Sequence, residues 1–271
     1  MASNFGHDTK AMERTRIAGL PVVTAGRAEL VDAMIADCRR ARADETVPAT
    51  LIFDINGHGI SMAGSDPAYR RALEAADLIH ADGGIWVAMS RFTDAPIAER
   101  SSTTDMMTDF AAACEREGLT FYILGGAEPI NAAFIDFLAR NYPRLKVVGR
   151  RNGYFGAADE AAVIADINAV RPDVLWVGMG KPREQQFCVN HRNSIKAGWV
   201  VTCGGCYNYF VGEYKRAPMW MQNANLEWLH RMATEPRKFG WRYLTTNPHS
   251  LALGLIDLAK LRLTKRKSAR R

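Results

Sequence analysis

Acid–base chemistry needs a carboxylate that substrate can reach, and the sequence offers one at Ala81-Asp-Gly-Gly84. Asp82 ends a short apolar run and precedes two glycines, where open α/β sheets bind ligands. There it can take a proton from a substrate hydroxyl, although Asp-Gly is also a plain turn signal. Asp54-Ile-Asn-Gly-His58 ends a second apolar run. Asn56 or His58 can hold a hydroxyl at that place, while an isolated histidine also fits a purely structural role.

Phosphate chemistry has its own candidates. Gly125-Gly126 and Gly178-Met-Gly180-Lys-Pro-Arg183 each follow an apolar run and precede a helical pattern. Glycines let the backbone approach a ligand, and the helix start behind them supplies free N–H groups. Lys181 and Arg183 add full charges. The same spacing also fits a tight turn. Lys215, Arg216, Arg231, Arg237, Lys238 and Arg242 form a basic run whose guanidinium forks suit diphosphate oxygens, or which simply faces water. There is no Asp-x-Asp motif to anchor a metal-held diphosphate, so cationic side chains are expected in the metal's place. Cys203-Gly-Gly-Cys206 has the form of a redox or half-zinc site. Without a second such pair or a close histidine pair, a structural, apolar role is the expectation.

The elements that must position these residues alternate. Short apolar runs and helical patterns follow one another without an internal repeat, which predicts βαβ units and a largely parallel sheet. Strands are expected at 50–53, 77–80, 120–124, 146–149, 173–178 and 199–202. Helices are expected from Asp66-Pro67 to about 76, over 129–141 and 158–170, and from about Glu184. After about Ala217 the pattern turns helical. Trp220, Leu226, Trp228, Leu229 and Met232 lie at helical spacing and Pro236 interrupts. A further helix is expected over 248–263, with Leu251, Leu255, Ile256, Leu258, Ala259 and Leu263 on one broad side and Asp257 and Lys260 opposite. Such a helix either lies in a membrane interface or packs on the body. The division this suggests is a core over 1–217 and a helical appendage over 218–271.

Composition narrows the class. The 271 residues are 48% hydrophobic and 24% charged, which fits a globular chain and excludes wholesale disorder or a fibre. No apolar run reaches the roughly 20 residues of a membrane-spanning helix. The polar stretch over residues 1–19 lacks the apolar core of a secretory signal, so a cytoplasmic chain is expected. Five cysteines are then expected to be free thiols. The net charge of +6 is unevenly spread: residues 228–271 carry 11 Lys and Arg against 2 Asp and Glu, while the rest is slightly acidic. A basic tail on an acidic body points to a polyanion such as an anionic membrane surface, a nucleic acid or a diphosphate, or else to a solubilising tail.

Taken in order, several segments resemble one family, the WecG/TagA/CpsF glycosyltransferases (glycosyltransferase family 26). They are Ala76-Asp-Leu-Ile-His-Ala-Asp-Gly83, Glu99-Arg100 with Asp105-Met106, Phe121-Tyr-Ile-Leu-Gly-Gly126, Asp173-Val-Leu-Trp-Val-Gly-Met-Gly-Lys-Pro-Arg183, and Lys215-Arg-Ala-Pro-Met-Trp220 continuing to Leu226-Glu-Trp-Leu-His-Arg231 and Glu235-Pro236. The resemblance implies a Rossmann-like α/β core with a C-terminal helical, membrane-associating appendage. It implies an inverting transferase that moves a hexose or N-acetylhexosamine from a UDP-sugar to a polyprenyl-diphosphate-linked saccharide in bacterial surface or exopolysaccharide synthesis. The enzyme would work without a metal or other cofactor, peripherally on the inner face of the cytoplasmic membrane, and as a possible homo-oligomer. Asp82 falls on the family's base, with Asn56 and Arg100 beside it as catalytic positions. Asp54, Asp105, Gly125, Gly126, Gly180, Lys181, Glu184, Gln185, Arg231, Arg237 and Arg242 are implied as substrate contacts, with Lys238 a competitor among the appendage cations. The chain departs from the family pattern in carrying Asp54 for threonine, Thr103 for glycine, and Glu184-Gln185 for Gln-Glu. Two other classes compete. A nucleotide-dependent oxidoreductase needs a dinucleotide fingerprint that neither glycine turn completes. A nucleic-acid-binding protein would use the basic tail, but no recognised module precedes it.

Overall fold

A computed structural model describes residues 9–268, except for the side chains of residues 10, 223, 238 and 265–268. The N-terminal polar stretch up to residue 8 and the end of the basic tail therefore lie outside the described residues, as does the side chain of Lys238. The chain opens with an antiparallel hairpin, β1 (Arg14–Ile17) and β2 (Leu20–Val23), followed by α1 (Arg27–Ala43). Next come β3 (Thr50–Ile55), α2 (Gly57–Ser65), α3 (Pro67–Glu74), β4 (Leu78–Ala81), α4 (Gly84–Ser90) and α5 (Thr103–Glu117). The second half of the core holds β5 (Thr120–Gly125), α6 (Glu128–Asn141), β6 (Lys146–Arg151), α7 (Glu160–Val170), β7 (Val174–Gly178), α8 (Arg183–Asn190), β8 (Trp199–Thr202) and the short α9 (Tyr207–Phe210). The remainder is helical: α10 (Met219–Asn223), α11 (Glu227–Thr234), a π-turn over Pro236–Gly240, and α12 (Trp241–Ser268).

Six strands form one sheet in the order β4-β3-β8-β7-β5-β6, and every pairing is parallel. Strands covered on both faces need no polar alternation, and β7 and β8 are buried at every residue. Parallel pairing also sends all six C-terminal ends to one edge, so the loops after β3, β4, β7 and β8 meet there. The sheet is thus a Rossmann-like α/β core with helices on both faces.

The expected strands are all present, and the hairpin, α1, α2, α4 and α5 add to them. In the last region the structure corrects the expected boundaries. The helix expected from 248 begins at Trp241 and carries Pro248 inside it. A proline reads as a helix start, but here Tyr243 is buried and its ring meets Phe239 and Trp228, which holds the preceding turn in helical form. The stretch 220–232 is two short helices, parted near Asn225, whose φ is +60°.

The sides of α12 are divided differently from the expected pattern: Leu258 packs on the body beside Asp257, and Lys260 is exposed on the side of the outward leucines. Asp257 faces the body, where it accepts from Arg16 Nε at 3.1 Å and from the Gly19 amide at 2.8 Å. Leu251, Leu255, Ile256 and Leu263 are exposed. The helix packs on α2 and α4 through glycines. A Cβ on Gly254 would stand 2.7 Å from Met89 Cε, and one on Gly64 would stand 2.4 Å from Leu253 Cδ1. Among the described residues no helix is long and apolar enough to cross a membrane.

Candidate active site

The converging strand ends and the appendage helices enclose a cleft of about 670 Å³. Asp82, Asn56, Arg100, Asp54, Gly180, Lys181, Glu184, Arg231 and Arg242 all line it. The cleft has a polar floor from the sheet and an apolar side that includes Ile85, Trp86, Trp228 and Leu251.

Asp82 follows β4 directly. Its side chain is 23% exposed, so the carboxylate is reachable yet held. Oδ1 accepts from the Thr103 amide at 3.3 Å and lies 3.7 Å from Arg100 Nη2. Oδ2 accepts from Asn56 Nδ2 at 3.4 Å. Asn56 follows β3 and is the N-cap of α2, where its Oδ1 accepts from the Gly59 amide at 3.0 Å. Arg100 donates from Nε to the Asp82 carbonyl at 2.6 Å and from Nη2 to Glu227 of α11 at 2.9 Å. Glu227 was not singled out from sequence. An acid in a helix's first turn looks like an ordinary dipole partner, and only the tertiary fold aims it at Arg100.

Opposite the acid stand two cations from the appendage. Arg231 lies 4.8 Å from the Phe239 ring centroid and 5.2 Å from that of Tyr209. Arg242 lies 4.6 Å from the same Phe239 ring. The Nε atoms of both arginines are buried without a hydrogen-bond partner within the protein. Stacking on rings keeps a guanidinium's planar fork in place while leaving its donors free for an anion.

His58 lies in the same cleft. Burial, together with Arg242 and Lys181, lowers its pKa to about 4, so the ring is neutral at physiological pH.

Lys181 takes a different part from the one its sequence position suggested. Its Nζ donates to both oxygens of Asp54 at 2.7 Å, in a pair almost closed to solvent. Burial alone would lower the ammonium's pKa, but Asp54 overrides it and holds the group charged. The cation is therefore taken up within the protein. Glu184 is buried and binds the loops themselves, accepting from the amides of Met179 (3.2 Å), Gly180 (2.9 Å) and Gly204 (3.0 Å).

Gln185, Gly125, Gly126, Asp105 and Arg237 are not part of the cleft lining. Gln185 is buried behind it, donating from Nε2 to Glu184 at 3.2 Å and Thr202 at 3.4 Å. Gly125 and Gly126 form a tight turn. A Cβ on Gly125 would meet the Gly178 carbonyl oxygen at 2.2 Å, so close strand-end packing requires glycine. Asp105 pairs with Arg216 at 2.7 Å and Arg27 at 3.3 Å. Arg237 is exposed on the π-turn. Cys203 and Cys206 line the cleft as buried free thiols, both pushed up by burial, in keeping with the apolar role.

The site is thus a cleft at the strand ends of a Rossmann-like sheet, lined by a partly exposed carboxylate and by two ring-stacked arginines of the appendage. The chain belongs to the WecG/TagA/CpsF family of glycosyl transferases, whose family model matches residues 15–266. It is similar to proteins named N-acetylglucosaminyldiphosphoundecaprenol N-acetyl-beta-D-mannosaminyltransferase. The Bacillus subtilis (strain 168) relative is 25% identical over 86% of this chain and 86% of its own length. The Bacillus spizizenii relative is 28% identical over 68% of this chain and 70% of its own. That of Staphylococcus aureus (strain MRSA252) is 25% identical over 76% and 81%. The protein is thus a glycosyltransferase of this family.

Proposed function

We propose that the protein transfers an N-acetylhexosamine, with N-acetylmannosamine the first candidate, from a UDP-sugar to a polyprenyl-diphosphate-linked N-acetylglucosamine, with inversion and without a metal. The observation that carries this reading is Asp82, partly exposed in a cleft that the ring-stacked Arg231 and Arg242 also line. The relatives' names supply the two sugars and the lipid.

In this mechanism Asp82 takes the proton from an acceptor hydroxyl. The freed oxygen attacks the anomeric carbon, its bond to the diphosphate breaks, and UDP leaves from the opposite face. A positioned base contributes roughly 10²–10⁴-fold. A fixed donor at the leaving oxygens contributes about 3 kcal/mol, here from the two arginines. Arg100 and Asn56 hold the base.

Peripheral membrane attachment belongs to the same proposal. It is supported by the exposed Leu251, Leu255, Ile256 and Leu263 of α12 and by the net positive charge of residues 228–271.

The test is transfer from radiolabelled UDP-N-acetylmannosamine to a synthetic prenyl-diphosphate N-acetylglucosamine, with and without chelator. The wild type should form a lipid-extractable disaccharide in both. Asp82→Asn should lose roughly 10²–10⁴-fold in kcat while UDP still binds. Wild-type-like turnover by Asp82→Asn refutes the base, and loss of turnover with chelator refutes metal independence.

A further inference from the structure

Four side chains from three strand ends form one unbroken chain: Lys181 after β7, Asp54 and Asn56 at the end of β3, and Asp82 after β4. Lys181 donates to both Asp54 oxygens at 2.7 Å. Asn56 Nδ2 donates to Asp54 Oδ2 at 3.1 Å and reaches Asp82 Oδ2 at 3.4 Å. The amide has no second orientation. Its Oδ1 is committed to the Gly59 amide, and a flip would aim an oxygen at two carboxylates.

Two carboxylates thus share one amide group, yet their situations differ. Asp54 is 3% exposed and compensated by Lys181, whereas Asp82 is open to the cleft. Like charges sharing a site disfavour one another's ionised form, unless a cation offsets one of them. Lys181 also lies 4.0 Å from Glu184. The acids that stand where the family pattern has threonine and glutamine therefore both sit beside this one ammonium.

We infer that Lys181 and Asp54 are positioning residues: their buried ion pair fixes the Asn56 carboxamide, which in turn aims Asp82 and leaves it the single reactive carboxylate of the two. This rests on the reading of Asp82 as base given above. The charged groups that also face Asp82 are Arg100, Glu227 and Arg231, with His80 beneath. His80 is kept neutral by burial, as are the nearby Cys206 thiol and Tyr209 phenol. His80 and Cys206 also feel the ion pair, and Glu184, Tyr69 and His58 face it as well, which is why the Asp82 signal itself is the one followed.

The experiment is a carboxyl ¹³C NMR titration of aspartate-labelled protein, with the Asp82 signal assigned by Asp82→Asn. Wild type is compared with Asp54→Asn, Lys181→Met and the double variant. Removing the Asp54 anion should lower the Asp82 titration midpoint by about 1 unit. Removing the Lys181 cation should raise the upper midpoint of the coupled Asp54–Asp82 pair by a similar amount. The double variant should return toward wild type. With the transfer substrates above, kcat of each single variant should fall roughly 10- to 100-fold with little change in KM, and the acid limb of its pH profile should move with the NMR midpoint. An Asp82 midpoint that stays at its wild-type value in both single variants overturns the inference. If Lys181→Met does not fold, Asp54→Asn decides alone by the same criterion. The titration needs no substrate, so a wild type inert toward these sugars would sink the proposed function without touching this result.

Discussion

Arg231 and Arg242 share a single aromatic ring: their guanidinium carbons lie 4.8 and 4.6 Å from the centroid of Phe239. Two like charges are held close together at the cleft with their Nε atoms unpartnered. A diphosphate bound in the cleft would relieve that repulsion.

UDP should therefore raise the thermal midpoint of the protein. At a concentration about 100 times its Kd, the linkage is worth roughly 2.7 kcal/mol. Arg231→Ala and Arg242→Ala should each weaken UDP binding by about 1.5–3 kcal/mol in calorimetry. Lysine at either position should not restore it, because lysine lacks the stacked fork. Unchanged UDP affinity in both alanine variants would move the nucleotide elsewhere.

The Arg100–Glu227 contact joins the appendage to the base. Glu227→Gln keeps the shape but removes the charge that holds Nη2. Its kcat should fall roughly tenfold, with a stability loss of about 1–3 kcal/mol by urea denaturation. If activity is unaffected while stability drops, the contact holds α11 in place and does nothing for Asp82.

His58 gives a pH signature of its own. Its folded pKa, about 4, lies below the ordinary 6.5, so between these values the unfolded chain binds more protons. The stability contributed by the neutral ring is complete above 6.5 and is lost as pH falls through 4. Wild type should lose more stability than His58→Gln over that window in urea titrations. Parallel pH profiles for the two proteins would contradict the burial of a neutral ring.

The outward side chains of α12 bear on attachment. Leu255→Asp with Ile256→Asp should sharply reduce co-sedimentation with vesicles of anionic phospholipid. Turnover of a short-chain, water-soluble acceptor should persist, because both residues lie outside the cleft lining. Undiminished vesicle binding would assign attachment to another surface.

Much of the sheet was legible because buried parallel strands are unbroken apolar runs. Val174–Gly178 and Trp199–Thr202 look the same in sequence and in structure. Helix α2 was hidden for the opposite reason. Gly57, Gly59 and Gly64 give it poor helix propensity, and it forms under α12, which packs against Gly57 and Gly64. Pro248 masked the first turns of α12 in the same way, since tertiary packing of Tyr243 outweighed a local start signal.

At the site, Asp82, Asn56, Arg231 and Arg242 carried their own residue-type logic and the cleft gathers them. The partner of Lys181 was not legible because charge type says nothing about partners: only the register of three strands shows that Asp54 claims its ammonium. At Gly125 and Gly126 the sequence left two readings open because close packing and phosphate binding ask for the same absent side chain.

Asn247, Ser250 and Leu251 contribute to the cleft wall, and Leu255, Ile256 and Leu263 lie farther along the same rod on its outer flank. From Leu251 to Leu263 that rod advances roughly 18 Å. With its inner seam clamped at Asp257 and Gly254, the helix acts as a fixed spacer. On the attachment proposed above, one rigid element would carry both part of the cleft wall and the lipid-facing side chains, so that anchoring and cleft shape are mechanically linked.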